Sequence, residues 1–460
     1  MCVLPSRFSS SYLIRTWVMV LAVCSMHAVT AQAQFFPPFG GGFGFVGGVR
    51  IDTEGVLRNM SFEEQQQQLD MIRRNAVVPK GQLEAASPLR CISLKKVQEA
   101  VLESEKTQQP LSADLLYLAG LTRIEYVFVY PERQDIVLAG PAEPWTVGPY
   151  GSMVGAKSGR PIVHLEDLLT AFRYVSNARQ GGISVSIEPS EQGVVQLQQM
   201  ISRIGANPNP AQIVPMLAEA FGPQKVVLQG IPTESHMARV LLAADYRMKL
   251  YGMNLAEAPV KGLPSYLEMI RNRTTASTQL QSRWWMACDY DAIAHSSNRL
   301  AWKISGPGIK TLTEQEMYDA TGAVNQTGKV DAAAEKWADT FTSKLDELAV
   351  KDTSFGDLRN VMDLCVVAAL IEAHNLESLA ACDLSGILGD TSKVETPKLD
   401  FPRSLSPQIS LIQSVQGMLV SASGGVMIES WQAATHTTED DRVAQAHAKA
   451  ADWASSNWYQ

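Results

Sequence analysis

Between Ser112 and Gly140 the chain changes its hydrophobic period from that of a helix to that of a strand. Ser112 can cap a helix that carries Leu115, Leu116 and Ala119 at helical spacing. Ile124 to Tyr130 (IEYVFVY) is rich in β-branched and aromatic residues, which is strand chemistry. Pro131-Glu132-Arg133-Gln134 turns the chain, and Asp135 to Ala139 returns as a second strand. A helix followed by a β-hairpin sets the fold class expected for the whole: mixed α/β (α+β), with an antiparallel or mixed sheet and β-hairpins packed against helices. The same grammar recurs along the chain. Strands are expected at Ile183–Ile187, Lys225–Gln229, Arg283–Cys288 and Leu300–Ile304. Helices are expected at Leu165–Ser176, Gln192–Ile204, His236–Tyr251, Val330–Val350 and Phe355–Ala373, with a last one from Glu439 to Trp453 capped by Thr438. Ile409–Val420 and Val426–Glu429 read as a hairpin about Ser423-Gly424-Gly425.

The amino-terminal segment reads as an address. Arg7 and Arg15 precede an apolar run from Trp17 to Cys24, and small residues end at Ala31-Gln32-Ala33. These are the parts of a secretory signal over residues 1–33, cleaved between Ala33 and Gln34. The run is too short to remain as a membrane-spanning helix, and no later apolar stretch reaches ~18 residues, so no transmembrane anchor is expected. Lipid attachment through Cys24 is the minor alternative, because Val23 is larger than a lipoprotein signal prefers. Removing the segment takes away two arginines and no acid, which moves the formal charge from −8 to −10. That acidity argues against nucleic acid as a partner. Residues 34–48 form a Phe/Gly-rich leader, expected to be disordered. A first α/β region is expected over 49–260, a second with long helices over 261–390, and a linker, hairpin and helix over 391–460.

Cys91, Cys288, Cys365 and Cys382 remain after cleavage, an even count that permits two disulfides. A helical hairpin turning at His374-Asn375 would pair Cys365 with Cys382 and leave Cys91 for Cys288. Four small buried hydrophobes is the equal alternative. The histidines His164, His236, His295, His374, His436 and His447 lack metal-site spacing, so each reads singly as structural or surface, and neither metal nor cofactor is expected. Gly151 to Ser158 resembles a phosphate loop, but Ala156 stands where glycine is needed, and Gly159 and Pro161 block the helix that should follow.

Arg283 to Asp291 (RWWMACDYD) is the most suggestive cluster. Trp284, Trp285 and Tyr290 could stack on sugar rings, and Asp289 and Asp291 could hold a cation or act as acid and base. The competing account is core plus turn, since in a strand the two tryptophans point to opposite faces. Arg239 and Asp245 on the His236 helix are further candidates, against a solvated helix face.

YLAGLTRIEYVFVYPERQDIVLAGPAEPW (Tyr117–Trp145), RPIVHLEDLL, ADYRMKLYGM, RWWMACDYDAIAHSSNRLAWKISGPGIK and KWADTFTSKLDELAVKDTSFGDLRNVMDLCVVAAL together resemble a family of exported planctomycete proteins carrying a domain of unknown function. The resemblance runs from about Val49 to Ala373 and implies a Gram-negative-like envelope, but it brings no catalytic residues. The expectation is a non-catalytic envelope protein that binds a protein or polymer partner. The alternative is a hydrolase or lyase acting on an envelope polymer through Asp289 and Asp291.

Overall fold

Strands from distant parts of the chain meet in one sheet, and the helices that cover it supply the candidate site. The computed structural model describes residues 45–46, 49–51, 56–59, 61–204, 209–271, 280–319, 321–389, 396, 398–412, 418–420, 423–451 and 457–460. The signal segment, its cleavage bond, Cys24 and most of the leader lie outside the described residues. In chain order, β1 is Ser87–Ser93, β2 Tyr126–Tyr130, β3 Asp135–Ala142, β4 Ile183–Glu188, β5 Gln224–Gln229, β6 Leu280–Asp289, β7 Ile293–His295, β8 Ala301–Lys303, β9 Gly308–Tyr318, β10 Ser423–Ile428 and β11 Thr437–Glu439. The helices that matter most are α1 Leu165–Arg173, α2 His236–Gly252, α3 Ala332–Ser343 and α4 Thr353–Ala373.

Among the described residues the larger sheet has ten strands, and its middle runs β5-β4-β10-β6-β9. β10 lies parallel to β6 and antiparallel to β4, while β6 and β9 form a long antiparallel pair. The smaller sheet, β11-β7-β8-β2-β3-β1, contains the hairpin expected from Ile124–Tyr130 and Asp135–Ala139, here β2 and β3. The protein is therefore α+β, with mixed sheets packed against helices. α4 is buried from Thr353 to Ile371, including the polar and charged residues Asp357, Arg359, Asn360 and Asp363. α2 packs on β4 and β10 with one side and on α4 with another. No described helix is long and apolar enough to cross a membrane.

Several local expectations fail for tertiary reasons. Ser423-Gly424-Gly425 is not a turn but the start of β10 inside the larger sheet, while Ser410–Ile412 pairs with Met418–Val420. A Cβ at Gly424 would stand 1.6 Å from the carbonyl oxygen of Trp284, and one at Gly425 1.9 Å from that of Val185. Glycine is needed there for close backbone approach, not for reversal. The helix expected over Val330–Val350 is two helices, α3 and Leu345–Lys351, separated at Lys344. Thr438 lies in β11, paired with β7, so the last helix begins only at Arg442.

All four described cysteines are free, so the expected pairing of Cys91 with Cys288 and of Cys365 with Cys382 is not made. Cys91 is on β1 of the smaller sheet and Cys288 on β6 of the larger. No long helical hairpin follows α4. The five-residue helix Leu376–Ala380 intervenes, and Cys382 ends beside Asp135 and Lys95. Burial pushes the Cys91 and Cys382 thiols up to about 11 and the Cys288 thiol up to about 12, which keeps them protonated.

Candidate functional site

Three helix beginnings bring their polar residues together. Leu165, Leu168, Leu169 and Phe172 bury one face of α1, and this fixes its first turn against the core. His164 is the extended cap residue of that helix, and Glu166 and Asp167 occupy its first turn, where the helix dipole favours negative charge. His236 opens α2, whose cap is Ser235: its Oγ accepts from the Ala238 amide at 3.1 Å. Asp357 lies one turn into α4, after Thr353. Each of His164, Glu166, Asp167, His236 and Asp357 keeps only 5–7% of its surface exposed.

The two imidazoles lie parallel, 4.9 Å between centroids and 3° between planes. Nδ1 of His236 is 2.9 Å from Asp167 Oδ2 and 3.1 Å from Oδ1. Glu166 Oε1 lies near both rings, 3.7 Å from Nδ1 of His164 and 4.0 Å from Nδ1 of His236. The His164 ring makes no hydrogen bond: its Nδ1 is beyond hydrogen-bond range of Glu166, and its buried Nε2 has no partner. Tyr117 meets the His164 ring edge-on at 5.7 Å. Asp357 Oδ2 accepts from Ser152 Oγ at 3.1 Å. Arg239, one turn along α2, donates through Nε to the Asp400 carbonyl at 2.7 Å and is held in the field of Asp400 and Glu166.

These surroundings displace several protonation equilibria. Burial disfavours a charged His236, but the carboxylates of Asp167, Glu166 and Asp357 together outweigh it and raise the imidazole to about 10. Burial lifts Asp357 to about 6, against the pull of His164, His236 and Ser152. Burial also lowers Arg239 to about 10.

One donor atom from each of His164, Glu166 and His236 lies within 4.8 Å of the others. Two imidazoles and a carboxylate suit a divalent transition metal, zinc above all; calcium and magnesium prefer all-oxygen sets. Tetrahedral donors at ~2.0–2.1 Å from an ion stand about 3.3 Å apart, so roughly an ångström of side-chain closure completes the site. A cavity of about 870 Å³ lies elsewhere, lined by Tyr251, Asn254, Lys261 and Glu268 among others. Its Glu268 is already engaged in a capping box with Ser265, and the cavity holds no comparable cluster.

The residues singled out in the sequence do not converge. Trp284 is fully buried between Tyr266 and Trp337, whereas Trp285, on the opposite face, is half-buried with the Arg283 guanidinium 5.4 Å from its ring centre. Asp289 ends β6 with Lys310 3.5 Å away, and Asp291 is exposed beyond it. Tyr290 donates to Asp363 at 2.8 Å, and that carboxylate also pairs with Arg123 at 3.1 Å. Asp245 and Lys249 form a fully buried pair at 2.9 Å, not a solvated face; burial raises the acid and lowers the amine. Of these candidates, Arg239 borders the histidine cluster. The phosphate-loop resemblance also resolves: the Lys157 and Ser158 amides donate to Glu143 Oε2, both at 2.9 Å, so the chain's own carboxylate fills the cradle.

The histidine cluster is hidden in the sequence because Asp167 and His236 are 69 residues apart. The local signals are His164-Leu165-Glu166-Asp167 at one helix start and Ser235-His236 at another.

Fold and site together define an α+β protein with a buried centre of histidines and carboxylates. A DUF1598 domain, of unknown function, is found at residues 185–266. It holds β5, α2 and hence His236; His164, Glu166 and Asp167 precede it, and Asp357 follows. No curated protein and no solved structure matches the chain.

Proposed function

We propose that this is an exported envelope protein that binds one divalent transition-metal ion, zinc by donor chemistry, through His164, Glu166 and His236. The observation that carries the reading is His164: a buried imidazole whose Nε2 has no partner, stacked on a second imidazole, with Glu166 Oε1 within 4.0 Å of both Nδ1 atoms. A polar ring buried in that way costs stability unless something binds it. Charge supports the same ion class. With both imidazoles neutral, Glu166, Asp167 and Asp357 outweigh Arg239 by two negative charges, and a divalent cation cancels them.

The planctomycete resemblance and the pattern from Arg7 to Ala33 support export. Enclosure of the centre supports a structural role for the ion. The alternative of a polymer hydrolase or lyase using Asp289 and Asp291 gains nothing from their positions, one beside Lys310 and one exposed beyond the end of β6. Equilibrium dialysis of the full chain against zinc tests the reading. About one equivalent is expected at micromolar zinc, with sharply weaker uptake in His164→Ala and His236→Ala. A wild-type chain that takes up no zinc overturns the reading. Cell fractionation and the mature amino terminus test export: a cytosolic chain beginning at Met1 refutes it.

A further inference from the structure

An enclosed metal centre needs an entry path. Three walls of this one are the beginnings of α1, α2 and α4. Those helices do not swing aside cheaply: Leu165 and Leu168, Val240 and Leu241, and Phe355 and Leu358 are all 0% exposed in the core. A further wall is of another kind. Strands Trp145–Val147 and Met153–Gly155 form a two-stranded hairpin that joins neither larger sheet. Its base is fixed: Trp145 and Met153 are buried, and the Met153 carbonyl accepts from the Ile162 amide at 2.9 Å. Its tip, Gly148 to Ser152, is a turn closed on itself, the Gly148 amide donating to the Ser152 carbonyl at 2.8 Å. Polar contacts hold that tip down. Ser152 Oγ donates to Asp357 Oδ2 at 3.1 Å and lies 3.2 Å from Thr353 Oγ1. The Arg247 guanidinium is 5.6 Å from the centre of the Tyr150 ring, and the Gln65 amide donates to the Pro149 carbonyl at 3.3 Å. Asp357 lies in the field of both imidazoles, so the bond to Ser152 sets the tip against the centre itself. Breaking these contacts frees the tip without opening the core, which is how low-stability elements come to move first.

We infer that the hairpin tip from Gly148 to Ser152 is a lid over the histidine centre, lifting to pass a divalent ion and closing through the Ser152–Asp357 and Tyr150–Arg247 contacts. The inference rests on the metal-binding reading above and adds the route by which the ion enters and leaves. Neither Tyr150 nor Ser152 is a donor to the ion, so the lid acts on the rate of exchange and not on the strength of binding.

Zinc exchange of the full chain reads the lid. Stopped flow follows uptake by the metal-free protein and release from the loaded protein to excess chelator. Loss of a cation–π contact at a partly open site is worth a factor of about two to five, so Tyr150→Ala should speed uptake and release alike by that much. Tyr150→Phe keeps the ring and should exchange as the wild type does. Ser152→Ala loses a hydrogen bond to a carboxylate and should speed both steps by roughly tenfold or more. The equilibrium affinity of Tyr150→Ala for zinc should stay that of the wild type. Unchanged rates in both alanine variants, or faster release with unchanged uptake, overturn the lid while metal binding stands. Tyr150 is a half-buried surface ring, so its variants decide the matter even if Ser152→Ala does not fold. A wild-type chain that takes up no zinc overturns both readings.

Discussion

In the metal-free protein, His236 and Asp167 should make folding stability fall as the solution becomes alkaline. In the unfolded chain the imidazole loses its proton near its ordinary 6.5; in the folded protein the surrounding carboxylates hold it until about 10. Between those values the native state binds the extra proton. The contribution of His236 is therefore complete below about pH 6.5 and is lost as pH rises through about 10. The slope is about 1.4 kcal/mol per pH unit, giving roughly 4–5 kcal/mol over the interval. An independent route gives a similar size. Asp167 is 5% exposed, so His236→Ala strands a buried carboxylate, which typically costs about 3–5 kcal/mol. Urea unfolding of wild type and His236→Ala in chelator, from pH 6 to 10, measures both. The gap should be several kcal/mol near pH 6.5 and should close steadily toward pH 10. A gap that stays constant, or widens with pH, refutes the claim that a charged imidazole between carboxylates holds this junction.

Three further outcomes follow from the packing. Gly424→Ala and Gly425→Ala should each destabilise the protein by about 3 kcal/mol or more, read by urea midpoint, because the added Cβ meets backbone oxygens across the sheet. Trp284→Ala should cost about 3–5 kcal/mol and Trp285→Ala well under half of that, since the first ring is sealed between Tyr266 and Trp337 and the second is partly open; equal losses would contradict the facing. Alkylation in denaturant without reductant should label Cys91, Cys288, Cys365 and Cys382 together, as seen by mass spectrometry, and a protected pair would contradict the free thiols.

Helices and strands with a strong hydrophobic period are legible in the amino-acid pattern. Tyr126–Tyr130 and its return strand, Ile183–Glu188, Gln224–Gln229 and the helix from His236 all lie where composition and spacing place them. Partnerships are not legible in the same way. Ser423-Gly424-Gly425 carries the chemistry of a turn, yet the same lack of side chains lets β10 pass between Trp284 and Val185. The i,i+4 spacing of Asp245 and Lys249 is readable, but their burial is not, since it depends on β4 and β10 covering that face of α2. The aromatic and acidic run from Trp284 to Asp291 reads as a cluster because its members are neighbours along the chain. In space, alternation along β6 separates them.

What the sequence determined alone is local and additive: apolar periods, capping residues such as Ser235, and the acids placed at the start of α1. These depend on near neighbours, and a single chain displays them without folding. The convergence of His164, Glu166 and His236, the Asp167–His236 hydrogen bond, the free state of the described cysteines and the course of β10 were decided by tertiary structure. They depend on which buried faces meet, and that outcome minimises exposed apolar surface over the whole chain rather than within any one segment.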